Sequence, residues 1–243
     1  MLVKLVNTKR EQSLTNNFLA KKSVYDITKF TTLDYQDHLA CILWFAKCNM
    51  RCSYCYNAKI VDGEGVLKNQ EVFNFLQSRI GKLDAVVLSG GECTLNPDIV
   101  EFCQEIRDLG FKIKIDTNGL NPDIIKDLID FSLVDFIALD YKAPAKKFKE
   151  VTKNTSIEKF YKTLDTLIDK KFPFEVRTTI HSAFLNEDDI NSIILDLSDR
   201  KYEGTYYIQN YLHVEDTIDK LPEFSEPINK GLISNIIPIS FRN

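Results

Sequence analysis

Leu39–Cys55 reads LACILWFAKCNMRCSYC. Its first part, Leu39 to Ala46, is an apolar run of strand length and reads as a buried strand. The second part places Cys48, Cys52 and Cys55 within eight residues, where that strand would end. A strand that runs straight into a ligand-bearing loop suits an α/β fold, in which functional groups collect at the C-terminal ends of the strands. Thiolates bind soft metals, and an eight-residue segment reaches roughly 25 Å at about 3.5 Å per residue, enough to curl round a compact cluster. A cubane 4Fe-4S cluster held by three cysteines keeps one iron without a protein ligand, whereas clusters that only carry electrons normally take four. An open iron can bind a substrate.

Two other readings of the cysteines compete. A structural zinc site needs a fourth ligand, which Cys41, Cys93, Cys103 or His38 could supply, but no second Cys-x-x-Cys or His-x-x-x-His pair follows. A disulfide framework suits small secreted domains, whereas 243 residues with a 44% hydrophobic fraction furnish a core without staples.

Outward from the cysteine loop, short apolar runs alternate with amphipathic segments. Strands are expected at Leu39–Ala46, Ala85–Ser89, Lys112–Thr117, Val134–Asp140, Phe174–His181 and Thr205–Tyr211. Helices are expected at Asn69–Ile80, Pro97–Leu109, Pro122–Phe131, Ile157–Lys171 and Glu187–Ser198. Asn96-Pro97 and Asn121-Pro122 supply start signals, and Gly81 and Gly110 supply stops. This alternation predicts a parallel sheet with right-handed crossovers, in an open, partial (β/α)6 TIM-like barrel. Ahead of it, Val24–Leu33 reads as an edge strand or hairpin, and Met1–Ser23 as a short strand or frayed arm. The expected organisation is an arm over 1–23, a barrel over 24–214 and a tail over 215–243.

Net charge is -4, with both signs interspersed, so no clustered basic excess marks a nucleic-acid surface. No apolar run approaches the roughly 20 residues that span a bilayer, and the N-terminus lacks the apolar core of a secretory signal. A cytoplasmic protein without membrane contact is expected.

Cys-x-x-x-Cys-x-x-Cys with an aromatic residue, here Tyr54, before the last cysteine resembles the signature of the radical S-adenosylmethionine (SAM) superfamily. Ile27–Asn57, Leu88–Leu95, Asp116–Gly119, Asp140–Lys142 and Arg177–Ile180 resemble the activating proteins of anaerobic ribonucleoside-triphosphate reductase, relatives of pyruvate formate-lyase activating enzyme. The resemblance covers roughly Tyr25 to Leu212. Two departures stand out: Gln36 follows Asp34-Tyr35, and Cys93 follows Gly90-Gly91-Glu92, where the family commonly has proline.

The resemblance implies a partial barrel of the radical SAM type. It implies that Cys48, Cys52 and Cys55 hold a 4Fe-4S cluster, and that Gly90, Gly91 and Glu92 receive the methionine amino group of SAM. Tyr54, Lys142 and Arg177 become SAM contacts, and Asp116, Thr117 and Asp140 ligands of a monovalent cation. The implied reaction is reductive cleavage of SAM to a 5'-deoxyadenosyl radical that takes hydrogen from a glycine of a glycyl-radical enzyme, with an electron donor such as flavodoxin or ferredoxin. Rival readings are a radical SAM enzyme acting on another polypeptide or a small molecule, and an iron-sulfur electron carrier. Cys93 reads as buried structure rather than a fourth ligand. His38 reads as structural, His181 as a ligand contact or a strand-end histidine facing solvent, and His213 as an ambiguous match. The Lys142, Lys146, Lys147 and Lys149 run reads as a solvated face.

Overall fold

In the computed structural model the structure is described for residues 16–212, 217–222 and 225–242. Among them, nine strands form one sheet in the order β3-β1-β2-β4-β5-β6-β7-β8-β9. The strands are β1 (Lys22–Thr31), β2 (Ala40–Phe45), β3 (Leu67–Lys68), β4 (Ala85–Gly90), β5 (Lys112–Thr117), β6 (Phe136–Asp140), β7 (Phe174–Ile180), β8 (Tyr206–Asn210) and β9 (Ile239–Arg242). From β2 to β9 every neighbouring pair is parallel, while β1 runs antiparallel to both β2 and β3. The chain is thus an α/β protein with a mostly parallel sheet, the partial TIM-like barrel that the alternation predicts.

Helix α1 is described over residues 16–20, followed by α2 (Ala58–Val61), α3 (Asn69–Gln77), α4 (Ile99–Asp108), α5 (Pro122–Asp130), α6 (Ala145–Thr152), α7 (Ile157–Asp169) and α8 (Glu187–Asp199). Pro122 opens α5 at the position where its missing N–H costs nothing. At α8 the Asn186 side chain accepts from Asp189 N while the Asp189 carboxylate accepts from Asn186 N, a reciprocal cap.

The period-2 alternation of the strands sorts two faces. Leu43, Leu88, Ile115, Leu139 and Ile208 join the main core with the helices. The opposite face carries Ala40, Ile42, Ala85 and Val87, packed with Tyr35, Trp44 and Phe136 in a second apolar cluster. Further along this inner face come the polar positions Lys114, Asp116, Asp140, Arg177 and Gln209.

Most of the expected N-terminal arm, residues 1–15, lies outside the described residues; in its described end Phe18 is buried against Phe73 and Phe102, and β1 begins at Lys22. The expected C-terminal tail supplies β9, whose Arg242 pairs with Glu175 at 2.8 and 3.1 Å and lies over the Tyr207 ring. Its burial potential lay in only four residues, too few for a periodicity to register. The lysine run is not wholly solvated: Lys146, Lys147 and Lys149 lie in α6, which buries Phe148 and Val151 and ties Lys147 Nζ to the buried Asp189 at 2.6 Å, while Lys142 precedes the helix and pairs with Asp140. His213 lies outside the described residues.

Candidate functional site

A cavity of about 250 Å³ opens at the C-terminal ends of β2, β4, β5, β6, β7 and β8, with Cys48, Cys52, Cys55, Tyr54 and Lys142 among its lining residues. It gathers groups from distant parts of the chain because all of them follow or end parallel strands.

The cysteine loop leaves β2 through Lys47, whose φ of 71° is left-handed. Bonds from Lys47 N to Ile60 O (2.9 Å), Cys48 N to Val61 O (3.2 Å) and Arg51 N to Thr152 O (2.8 Å) hold its backbone. The Arg51 guanidinium donates to the carbonyls of Cys48 and Met50, both at 2.8 Å. Asn154 Nδ2 donates to Asn49 O at 2.8 Å. Segment 217–222 completes the set: Ile218 N donates to Cys55 O at 3.2 Å, and Asp219 N to Ser53 O at 3.1 Å.

Burial pushes the Cys48 thiol up to about 11 and the Cys52 thiol up to about 12. Among the described residues no three His, Cys, Asp or Glu side chains are gathered as ligands of one metal ion. The donor set fits a 4Fe-4S cluster: three thiols on one loop beside a cavity. Tyr54, which lines the same cavity, has a buried hydroxyl without a hydrogen-bond partner among the described residues.

Gly90 and Gly91 line the cavity, yet their lack of side chains answers first to the protein's own backbone. A Cβ on Gly90, whose φ is 118°, would stand 2.3 Å from Phe45 O, and one on Gly91 would stand 2.1 Å from Lys47 O. Glu92 departs from expectation. Its carboxylate is turned into the protein, 1% exposed, and does not line the cavity. Oε1 accepts from Thr94 Oγ1 (2.5 Å) and Thr117 Oγ1 (2.9 Å), and Oε2 from Asn118 N (2.8 Å). Burial raises its pKa against these donors. Glu92 therefore joins the end of β4 to the end of β5, with Thr117 among its donors.

The guanidinium of Arg177 lies between Asp116 and Asp140 and pairs with both. Its Nε donates to Asp140 Oδ1 at 2.5 Å, and its Nη2 lies 3.2 Å from Asp116 Oδ2. On the intervening β6, Ala138 is the register partner of Asp116 and Asp140 that of Arg177. Lys114 Nζ adds 2.8 Å to Asp116 Oδ1, and Lys142 Nζ 3.0 Å to Asp140 Oδ2. Burial alone would raise both carboxyl pKa values, but Arg177 with Lys114 or Lys142 outweighs it and holds both below the usual range. For Lys142 burial opposes the charge, and Asp140 more than restores it.

Cys93 is fully buried, 3.8 Å from both Leu88 O and Asp116 O, and does not line the cavity. His181 neither faces solvent nor lines the cavity; it is buried between Phe184 and Tyr211, and its Nδ1 accepts from Ala183 N at 3.1 Å. His38 stacks on Tyr35 at 4.3 Å, before the start of β2 and away from the cavity. Sequence reasoning passed over Asn118, Asn49, Asn154 and Asp219. Asn118 stood inside a stretch already singled out, but its partner Asn49 could be found only in three dimensions.

The family model described as Radical SAM superfamily matches residues 42–197. A protein of Methanocaldococcus jannaschii named as a candidate glycyl-radical enzyme activating enzyme is 33% identical over 89% of this chain and 95% of its own length. A Pyrococcus abyssi protein named for GTP 3',8-cyclase activity is 26% identical over 61% of this chain and 49% of its own. The crystal structure of Streptococcus suis SuiB bound to S-adenosylmethionine superposes with a TM-score of 0.63 at 14% identity, covering 83% of this chain and 52% of that one.

Proposed function

The chain belongs to the radical SAM superfamily and is an enzyme of that type, and from this premise we propose that it activates a glycyl-radical enzyme. The observation that carries the proposal is the placement of Cys48, Cys52 and Cys55 on one braced loop at a cavity shared with Gly90, Gly91 and Lys142. In this reading the three thiolates hold a 4Fe-4S cluster whose fourth iron is left for SAM. When bound, such a cluster would supply the one electron that breaks a C–S bond of SAM, giving methionine and a 5'-deoxyadenosyl radical able to take hydrogen from a glycine Cα.

The residues orient and shield. Backbone at Gly90 and Gly91 would receive the amino-acid end of SAM, and Lys142 would offer its ammonium to the carboxylate. Tyr54 gives the cavity an aromatic wall and a hydroxyl in need of a partner. Asp116 and Asp140, with Arg177, Lys114 and Lys142, form an ionic floor in which three cations face two carboxylates. Glu92 acts through Thr117 and Asn118 rather than on SAM itself.

The 33% identity to the M. jannaschii protein, over nearly the whole of both chains, supports a glycyl-radical partner. The wording of the motifs points to anaerobic ribonucleoside-triphosphate reductase, with flavodoxin or ferredoxin as electron donor and the cytoplasm as compartment. Among the described residues no helix is long and apolar enough to cross a membrane. The likeness to a GTP 3',8-cyclase, limited to about half of that protein, supports the shared cofactor chemistry and keeps a small-molecule substrate as the second reading.

The test is anaerobic reconstitution with iron and sulfide, reduction, and electron paramagnetic resonance with and without SAM while deoxyadenosine is counted. A SAM-dependent change of the cluster signal with deoxyadenosine release is expected. A fully loaded cluster that neither responds to SAM nor cleaves it would favour the electron carrier. A glycyl radical appearing in added reductase then decides the partner.

A further inference from the structure

Asn118 is 4% exposed and lines the cavity beside the cysteine loop. Its amide orientation is set by its own neighbourhood. Leu120 N donates to Oδ1 at 3.1 Å, so the oxygen faces the turn that follows β5 and the amide nitrogen must face the other way. The main chain at this position is pinned as well, since Asn118 N donates to Glu92 Oε2 at 2.8 Å. With both ends fixed, Nδ2 donates one hydrogen to Asn49 Oδ1 at 2.7 Å and stands 3.8 Å from Cys48 Sγ with the other. Met50 N approaches the same sulfur at 3.4 Å. No donor is recorded at the sulfur of Cys52 or Cys55 among the described residues.

We propose that Asn118 tunes the cluster by donating an N–H···S hydrogen bond to the Cys48 thiolate, raising the cluster's reduction potential through that one ligand. The inference rests on the reading that Cys48 is a cluster ligand. Its physical basis is that reduction adds negative charge to the cluster and its sulfurs, so a donor aimed at one sulfur stabilises the reduced form more than the oxidised. Hydrogen-bonded partners of metal ligands tune the metal in this way, and here the partner is itself held by a buried carboxylate. Glu92 thereby gains a role without touching the ligand: it fixes the residue that faces the sulfur.

The experiment is a redox titration of reconstituted protein, following the reduced-cluster signal, for the wild type, Asn118→Ser and Asn154→Ala. Serine keeps an oxygen for Leu120 N but is too short to reach Cys48. Asn154→Ala removes a brace of the same loop, the bond to Asn49 O, without touching the sulfur. The expected result is a more negative midpoint for Asn118→Ser, with a several-fold lower reduced fraction at fixed poise (tenfold corresponds to about 59 mV for one electron), and an unchanged midpoint for Asn154→Ala. Equal midpoints in wild type and Asn118→Ser, or equal shifts in both variants, would overturn the inference. A wild type that takes up no cluster would overturn the cluster reading itself, an outcome separate from these. Should Asn118→Ser fail to load, wild-type protein with 15N-labelled asparagine amides decides: a hyperfine coupling of an amide nitrogen to the reduced cluster supports the hydrogen bond, and its absence removes it.

Discussion

The hydroxyl of Ser53 donates to the Asp219 carboxylate at 2.6 Å across 166 positions of sequence, tying the cysteine loop to the C-terminal segment. The adjacent backbone bonds from Ile218 and Asp219 make this a strap rather than a single contact. Ser53 is buried while Asp219 is exposed, so the bond has one protected end.

A double-mutant cycle with Ser53→Ala and Asp219→Ala should give a coupling of about 0.5–1.5 kcal/mol, the usual net worth of a hydrogen bond. For a chain of this size each kcal/mol lowers the melting temperature by roughly 2–4 °C. Purely additive losses in urea denaturation would show that the strap adds nothing.

Arg177→Ala should cost about 3–5 kcal/mol at pH 7, because it leaves two buried carboxylates with Lys114 and Lys142 as their remaining cations and the Ser89 hydroxyl as a donor to Asp116. The pH dependence carries the sign. In the wild type both carboxyls titrate below their unfolded value of about 3.9, so their stabilisation is complete above it and is lost as pH falls through the lowered folded values. Without the guanidinium the folded values rise, so the deficit relative to wild type should shrink between pH 7 and pH 5. An equal deficit at both pH values, from denaturant melts, would contradict this.

Glu92→Gln should destabilise by about 1–3 kcal/mol. An amide can accept from Thr94 and Thr117 with its oxygen, but its NH2 then faces the N–H of Asn118, leaving a buried donor unsatisfied. Since the side chain does not line the cavity, SAM affinity measured on folded protein should fall less than in a Lys142→Ala variant. A selective loss of SAM binding with unchanged stability would mean that Glu92 contacts the ligand directly.

Cys93→Ala should retain full iron and sulfide, whereas alanine at Cys48, Cys52 or Cys55 should abolish cluster assembly. Cys93 is buried beneath the end of β4 with its thiol toward two backbone carbonyls, and burial holds its pKa well above the ordinary value. Iron content and the reduced-cluster signal read the result; loss of the cluster in Cys93→Ala would make it a fourth ligand.

Much of the fold was legible because its signals are local. The apolar runs that became β2, β4, β5, β6, β7 and β8, and the amphipathic segments between them, carry their periodicity in consecutive residues. The cysteine loop was legible for the same reason, since its three sulfurs sit on one short segment. Strand β9 and helix α6 were missed because a four-residue edge strand and a lysine-rich helix carry weak local patterns.

The site shows where local reading stops. Sequence by itself determined that Cys48, Cys52 and Cys55 share a loop, and that the groups after successive parallel strands meet at one end of the sheet. Only the tertiary structure decided which atoms meet there. Arg177 lies between Asp116 and Asp140 because its guanidinium pairs with both carboxylates from a third strand. Glu92 turns inward because buried hydroxyls and an amide satisfy its oxygens, and Asn118 faces Cys48 because its oxygen is held elsewhere. Such choices depend on directional bonds between residues far apart in the chain, and no spacing along the sequence encodes a direction in space.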